Sequence, residues 1–188
     1  MDINLSGKKI LIITSNMGVE KSELLVPIAF LKKLNAEITH AAIHQGKVQT
    51  LVKDVEKDEI VNASAELSSI NSSEYDALII PGGTVNSDKL RVDPHAIKLV
   101  SEFAKNQKLI AAICHAPWIL IEAKLVTGRE MTSYYSIKTD LINAGAKWLD
   151  HPVVTSNKEA SCLITSRQPK DLDNFSKAIA HELNKQKH

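Results

Sequence analysis

The sequence predicts an α/β fold built on a mainly parallel sheet with helices on both faces. Three observations carry that expectation. Short, almost wholly apolar runs recur at residues 9–14 (KILIIT), 76–80 (DALII) and 108–113 (KLIAAI). Runs of that length and character suit strands buried on both faces, as in parallel sheets. Amphipathic stretches separate them, which gives the alternation of a layered α/β domain. Finally, polar or glycine-bearing loops follow the runs: SNMGVEKSE, PGGTVNSD and CHAP. Loops beyond the carboxyl ends of parallel strands share one edge, and sites form there.

In order, residues 9–14 read as the first strand, SNMGVEKS as a loop, and residues 23–34 as a helix. Residues 37–43 read as a second strand. The polar stretch 45–73 reads as an excursion containing a small hairpin. DALII is the next strand, stopped by Pro81-Gly82-Gly83. Asp93-Pro94 opens a helix to about residue 105, with proline at a favoured first-turn position. Residues 108–113 form the strand that ends at Cys114, and residues 117–123 the following helix. Further strands are expected near 130–132, 153–155 and 162–166, and helices at 136–144 and 169–185. No internal repeat or linker divides the chain, so one domain over 1–188 is expected.

The charge balance excludes some functions. With 23 basic and 22 acidic side chains interspersed, the chain has no basic stripe, and nucleic acid is not an expected partner. No apolar run approaches the roughly 18 residues of a membrane span. The first apolar run is too short for a secretory signal and lacks a cleavage pattern, so a cytoplasmic location and no membrane partner are expected. The two cysteines, Cys114 and Cys162, are far apart and outside any CxxC pair, which argues against a disulfide framework or a structural zinc. His40, His44, His95, His151 and His181 show no metal-ligand spacing. No metal or cofactor is expected. Cys162, inside an apparent strand, reads as buried and inert.

Cys114 carries most of the functional argument. It stands where a strand turns sharply into a helix, and the helix dipole there favours a thiolate. Free cysteine is also a common buried apolar residue. Small neighbours, Ala111, Ala112 and Ala116, suit a tight elbow of the kind that exposes a nucleophile in hydrolases. His115 is either a base for the thiol or a helix N-terminal histidine with ordinary partners. Glu20 and Glu23 either begin a helix, where acids are favoured, or send a carboxyl toward the cysteine. A protonated carboxyl could donate to a thiolate, whereas an ionised one would repel it. Gly82 and Gly83 either reverse the chain or let backbone N–H groups approach an oxyanion. No Gly-Lys-Ser/Thr follows them, so the loop is not a phosphate-binding P-loop. Asp88 either orients a histidine or caps the local turn.

Taken together, AAICHAPWIL, PGGTVNSDKLR, TSYYSIKTDLINAGAKW and TSRQPKDL resemble, in this order, the ThiJ/PfpI superfamily, and most closely its PfpI-like branch of stress proteins and intracellular cysteine peptidases. The likeness runs from about Lys9 to the final helix. It implies a flavodoxin-like three-layer sandwich of the class I glutamine amidotransferase type, with Cys114 as the nucleophile. It assigns the cysteine-contacting carboxyl to Glu23, four residues before Pro27, and leaves Glu20 as a less fixed second acid. It implies that His115 serves in a triad completed by an acid from a neighbouring subunit, best matched by Asp88. It places oxyanion or substrate contacts around Gly82, Gly83, His115 and Ala116. A homodimer or a hexamer follows from the same likeness. Glutaminase chemistry is disfavoured because no His-x-Glu pair follows Cys114.

The expected function is a stress-protective cysteine enzyme acting on reactive carbonyls or their adducts, of glyoxalase or deglycase type. The alternatives are an intracellular cysteine peptidase with a peptide substrate, and a non-enzymatic redox sensor or holdase that uses the oxidisable cysteine. A flavodoxin-like domain binding a nucleotide or flavin is the bland possibility, since fold alone does not give function.

Overall fold

The computed structural model describes residues 3–158 and 161–186. The strands are β1 (Lys9–Thr14), β2 (Met17–Glu20), β3 (Glu37–Ala42), β4 (Gly46–Val52), β5 (Glu56–Ala63), β6 (Ala65–Glu66), β7 (Ala77–Ile80), β8 (Leu109–Ile113), β9 (Glu130–Met131), β10 (Lys147–Trp148), β11 (Val153–Lys158) and β12 (Ser161–Ser166). The helices are α1 (Lys21–Lys33), α2 (Thr84–Arg91), α3 (Pro94–Lys105), α4 (Pro117–Glu122), α5 (Lys138–Asn143) and α6 (Leu172–Lys185).

The main sheet has seven strands in the order β11-β12-β8-β7-β1-β3-β6. Every neighbouring pair is parallel except β11 with β12. This is the mostly parallel α/β sandwich that the apolar runs predict. Its buried strands alternate sides with period two. Ile10, Ile12, Ile79, Ala111 and Ile113 face one layer with Leu24 and Leu31 of α1 and Phe175, Ile179 and Leu183 of α6. Leu11, Ile13, Leu78, Ile80 and Ala112 face the other, with Leu99 and Phe103 of α3, Ile119 of α4 and Leu141 of α5.

Besides the short strands β6 and β10, which the sequence does not announce, two longer segments differ from the sequence expectation. SNMGVEKS is not all loop: Met17–Glu20 forms β2, parallel to β4, and the first helix begins at Lys21. The hairpin expected within 45–73 is β4 with β5, and β2 makes it a three-stranded sheet. PGGTVNSD likewise ends in helix α2. Its Val, Asn, Ser and Asp are weak helix formers. Tertiary burial of Asn86, Ser87 and Leu90 overrides that preference. Asn86 is the bracket: it accepts from Ser15 N–H at 2.7 Å and donates to the carbonyls of Pro81 and Gly82 at 3.0 and 3.1 Å. It thereby ties the loop after β1 to the loop after β7.

Other boundaries move little. Asp93 caps α3 by accepting from Ala96 N–H at 2.8 Å. Among the described residues, no helix is long and apolar enough to cross a membrane.

Candidate active site

β8 delivers Cys114 to the carboxyl edge of the sheet. The chain turns there with Cys114 at φ 64°, in the left-handed region that few non-glycine residues adopt. Strain of this kind is held only where the surroundings fix it. Cys114 N–H donates to Ser166 O at 3.0 Å, and Cys114 O accepts from Tyr134 N–H at 2.9 Å. The elbow is thus clamped between β12 and the segment after β9. Ala116 is buried, and its N–H donates to Ile113 O at 3.0 Å, so it keeps the elbow compact rather than offering a free donor to substrate.

Gly82 and Gly83 are required by close approach. A Cβ on Gly82 would lie 2.5 Å from both Cys114 Cβ and Glu23 Oε2. Gly83 sits at φ 91°, and a Cβ there would collide with Gly18 O. These glycines let the loop press against the cysteine. Gly82 N–H donates to Glu23 Oε2 at 2.9 Å, and the N–H groups of Gly83 and His115 face the sulfur.

Glu23 is fully buried on α1, while Glu20 at the end of β2 is nearly so. Burial, reinforced by the charge of Glu20, pushes the Glu23 carboxyl well above its ordinary 4.5. Its Oε1 has no partner of ordinary hydrogen-bond geometry, though the Cys114 thiol is its neighbour. Burial also raises the Cys114 thiol well above its ordinary 9.0, and an ionised Glu23 would raise it further. The helix dipole alone therefore does not produce the depressed thiol expected from sequence. α4 is only six residues long, and desolvation outweighs it. Burial thus favours the protonated form of Glu23. A neutral carboxyl no longer opposes a thiolate and has a proton to donate to it.

His115 packs at the same point. Its Nδ1 is 3.1 Å from Cys114 Sγ, and its Nε2 is 3.0 Å from Ser136 Oγ and 3.4 Å from Thr84 Oγ1. Its ring stacks on Tyr134 at 4.9 Å between centroids and tilts against Trp118 at 5.3 Å. Burial lowers its pKa, and the negative charge of Asp54 works in the other direction. Asp88 is elsewhere. It is exposed on α2, and within one chain the polar neighbours of the His115 ring are Cys114, Ser136 and Thr84.

A pocket of about 350 Å³ opens above the sulfur. It is lined by Glu20, Glu23, Lys53, Asp54, Cys114 and Tyr134, with Gln168, Pro169 and Lys170 closing one side. Sequence reasoning left out Lys53, Asp54, Thr84, Tyr134 and Ser136. Tyr134 and Ser136 stood inside a quoted motif, TSYYS, but nothing in residue type marked their direction. Cys162 is half-buried rather than buried, and desolvation pushes its thiol up to about 11. Among the described residues, no three His, Cys, Asp or Glu side chains converge as metal ligands do.

Known proteins resemble this chain over nearly its full length. The sequence profile of the DJ-1/PfpI family matches residues 8–182. General stress protein 18 of Bacillus subtilis is 37% identical over 171 residues, covering 91% of this chain and 95% of that protein. Deglycase PH1704 of Pyrococcus horikoshii is 34% identical over 164 residues, covering 87% of this chain and 92% of its own. The names of such relatives divide between stress proteins, deglycases and a provisionally named cysteine protease. Among solved structures, a two-domain protein of Anabaena variabilis with DJ-1/ThiJ/PfpI-like and ferritin-like domains superposes with TM-score 0.84 and 34% identity. That match covers 94% of this chain and 48% of the other, so this chain spans about half of that protein.

Proposed function

The chain belongs to the DJ-1/PfpI family, and on that premise we propose that it is a cysteine-dependent enzyme acting on small reactive carbonyls or their adducts on amines and thiols. The observation that carries this reading is the setting of Cys114. Its sulfur lies between a fully buried carboxyl and an imidazole nitrogen at 3.1 Å, beneath a pocket of about 350 Å³. The cysteine itself is only 4% exposed. Such a site admits an aldehyde or a short adduct far more readily than a segment of a folded protein, which disfavours general proteolysis.

The chemistry follows from the groups present. His115 takes the thiol proton, and Cys114 Sγ adds to the aldehyde carbon. A C–S bond forms and the carbonyl π pair moves to oxygen. The backbone N–H groups of Gly83 and His115, which face the sulfur, are the nearest donors for that oxyanion. With methylglyoxal, the former aldehyde hydrogen leaves as a proton, and Glu23 or His115 returns one to the adjacent carbon. The product is a thioester, which water cleaves to lactate and free thiol. A hemiaminal or hemithioacetal adduct first releases its amine or thiol: the C–N or C–S bond breaks, the carbinol O–H becomes C=O, its proton passes through His115 to the leaving group, and the freed aldehyde follows the same steps. No outside oxidant is needed. The test is methylglyoxal turnover by the wild type, Cys114→Ala and Glu23→Gln against buffer and amine controls. Loss of turnover in Cys114→Ala is expected; rates unchanged in both variants would overturn the reading.

A second reading rests on the orphaned Glu23 Oε1. A protonated carboxyl there could donate to an oxygen added to Cys114, as a redox sensor requires. Two oxygens confined to Cys114 after mild peroxide, with no carbonyl turnover, would favour it.

A further inference from the structure

The two ring nitrogens of His115 have different neighbours. Nδ1 faces the Cys114 sulfur, while Nε2 faces Ser136 Oγ and Thr84 Oγ1. Thr84 stands at the first position of α2. Its hydroxyl has a closer acceptor on its other side, Asp54 Oδ2 at 2.9 Å. Its backbone N–H donates to the second oxygen of the same carboxylate at 2.8 Å. A hydroxyl has one proton. Given to Asp54, that proton is not available to His115, so Thr84 meets the ring with lone pairs only. An N–H on the ring nitrogen opposite satisfies this lone pair, with Ser136 Oγ at 3.0 Å as its second acceptor. A neutral His115 so arranged bares Nδ1 to the thiol, which is the tautomer a base requires.

The β4–β5 turn is built to hold this carboxylate. Lys53 and Asp54 both adopt positive φ, 55° and 62°. Asp54 N–H is anchored on Glu20 Oε2 at 3.2 Å. The turn is therefore pinned twice, by its backbone to Glu20 and by its side chain to Thr84.

We propose that Asp54 and Thr84 are positioning residues that act within one chain, holding His115 as its Nε2–H tautomer so that Nδ1 receives the Cys114 proton. The proposal rests on the reading of Cys114 as a nucleophile. In the step it describes, the S–H bond breaks and the proton passes to Nδ1, leaving a thiolate and an imidazolium. Thr84 and Asp54 exchange no proton. The imidazolium is then faced by the Thr84 and Ser136 oxygens, with the Asp54 charge behind. This arrangement supplies within the chain the carboxylate that the resemblance sought in Asp88 of a neighbour.

A helix-capping role for Asp54 is the competing explanation, since it binds the N–H of Thr84. Thr84→Val separates the two, because it keeps that N–H and removes only the hydroxyl. The measurement is the rate of Cys114 alkylation by iodoacetamide from about pH 5 to about pH 9, with Thr84→Ser, Asp54→Asn and Asp88→Asn alongside. The ionisable groups around the ring are Cys114, Glu23 and Glu20 behind the sulfur, Asp54 behind Thr84, and Tyr134 against the imidazole; Arg91 stands over Trp118. In Thr84→Val and Asp54→Asn the near-neutral rate should fall about tenfold or more and its pH limb should move upward. Thr84→Ser and Asp88→Asn should follow the wild type. ¹⁵N ring shifts of wild-type His115 provide a readout that needs no variant, and should show Nε2–H. Wild-type pH profiles in both Thr84→Val and Asp54→Asn, loss only in Asp88→Asn, or an Nδ1–H tautomer would each overturn the proposal. None of these measurements uses a carbonyl substrate. Failure of methylglyoxal turnover with an intact alkylation profile would sink the carbonyl reading alone.

Discussion

Replacing Glu23 by glutamine keeps the shape of a fully buried side chain and removes its ionisation. The remaining amide oxygen can still accept from Gly82 N–H, so packing is conserved. What changes is the response to pH. Burial holds the folded-state pKa of Glu23 well above its ordinary 4.5. Between those two values the folded protein keeps a proton that the unfolded chain releases. The associated stability is fully present below 4.5 and is lost as pH rises toward the folded pKa. The loss amounts to about 1.4 kcal/mol for each pH unit in that window. Glu23→Gln has no such loss. The stability of the variant minus that of the wild type should therefore climb with pH above 4.5 at that slope and then level off. Titrating groups away from the site, His40 included, cancel in the difference, whereas Glu20 and Cys114, which interact with Glu23, modify the slope. Urea unfolding of the pair at several pH values gives the difference directly from midpoints and slopes. Parallel stability curves would show that Glu23 titrates normally, and would refute the protonated carboxyl beside the sulfur.

Three further outcomes follow from particular contacts. Gly82→Ala should destabilise by about 1–3 kcal/mol from overpacking and slow Cys114 alkylation, because the new Cβ meets Cys114, Glu23 and the Ile113 carbonyl; a wild-type melting temperature would contradict this. His40, half-buried and 2.8 Å from Thr14 Oγ1, has its pKa pushed down by desolvation from 6.5 to about 4. Its stabilisation is present above 6.5 and is lost as pH falls toward 4, by about 3 kcal/mol at most; His40→Gln should flatten that acid limb in urea titrations. Arg167→Ala strips the buried Asp171 of its paired contacts at 2.9 and 3.1 Å. A loss of about 1–3 kcal/mol is expected, and because Gln168, Pro169 and Lys170 wall the pocket, KM should rise more than kcat falls.

The sheet was legible because its signal is local. KILIIT, DALII and KLIAAI announce buried strands by composition alone, and each lies within a residue of its observed limits. The Cys114 elbow was legible for the same reason, from a strand, one sharp residue and a proline-started helix. β2 was not, because it exists through its pairing with β4 rather than through any pattern of its own. α2 was hidden by weak helix formers, and the burial of Asn86, Ser87 and Leu90 decides the outcome. Asp54 was invisible as a site residue. It occupies a polar turn that any hairpin would tolerate, and only the docking of the β4–β5 turn against Glu20 and the start of α2 brings it to Thr84. The thiol's electrostatics were misjudged for a physical reason: the sequence shows a helix start, but desolvation by the glycine loop is a property of the fold.

On the proposed reading, the Cys114 sulfur forms and releases a covalent bond to a carbonyl carbon during turnover. Rapid quenching of a single turnover with methylglyoxal, followed by peptide mapping, observes that bond. An adduct on the Cys114 peptide should rise first and decay as lactate appears, and should be absent in Cys114→Ala. Lactate formed without any adduct on Cys114, or stable adducts spread over lysines and Cys162 with no lactate, would contradict it.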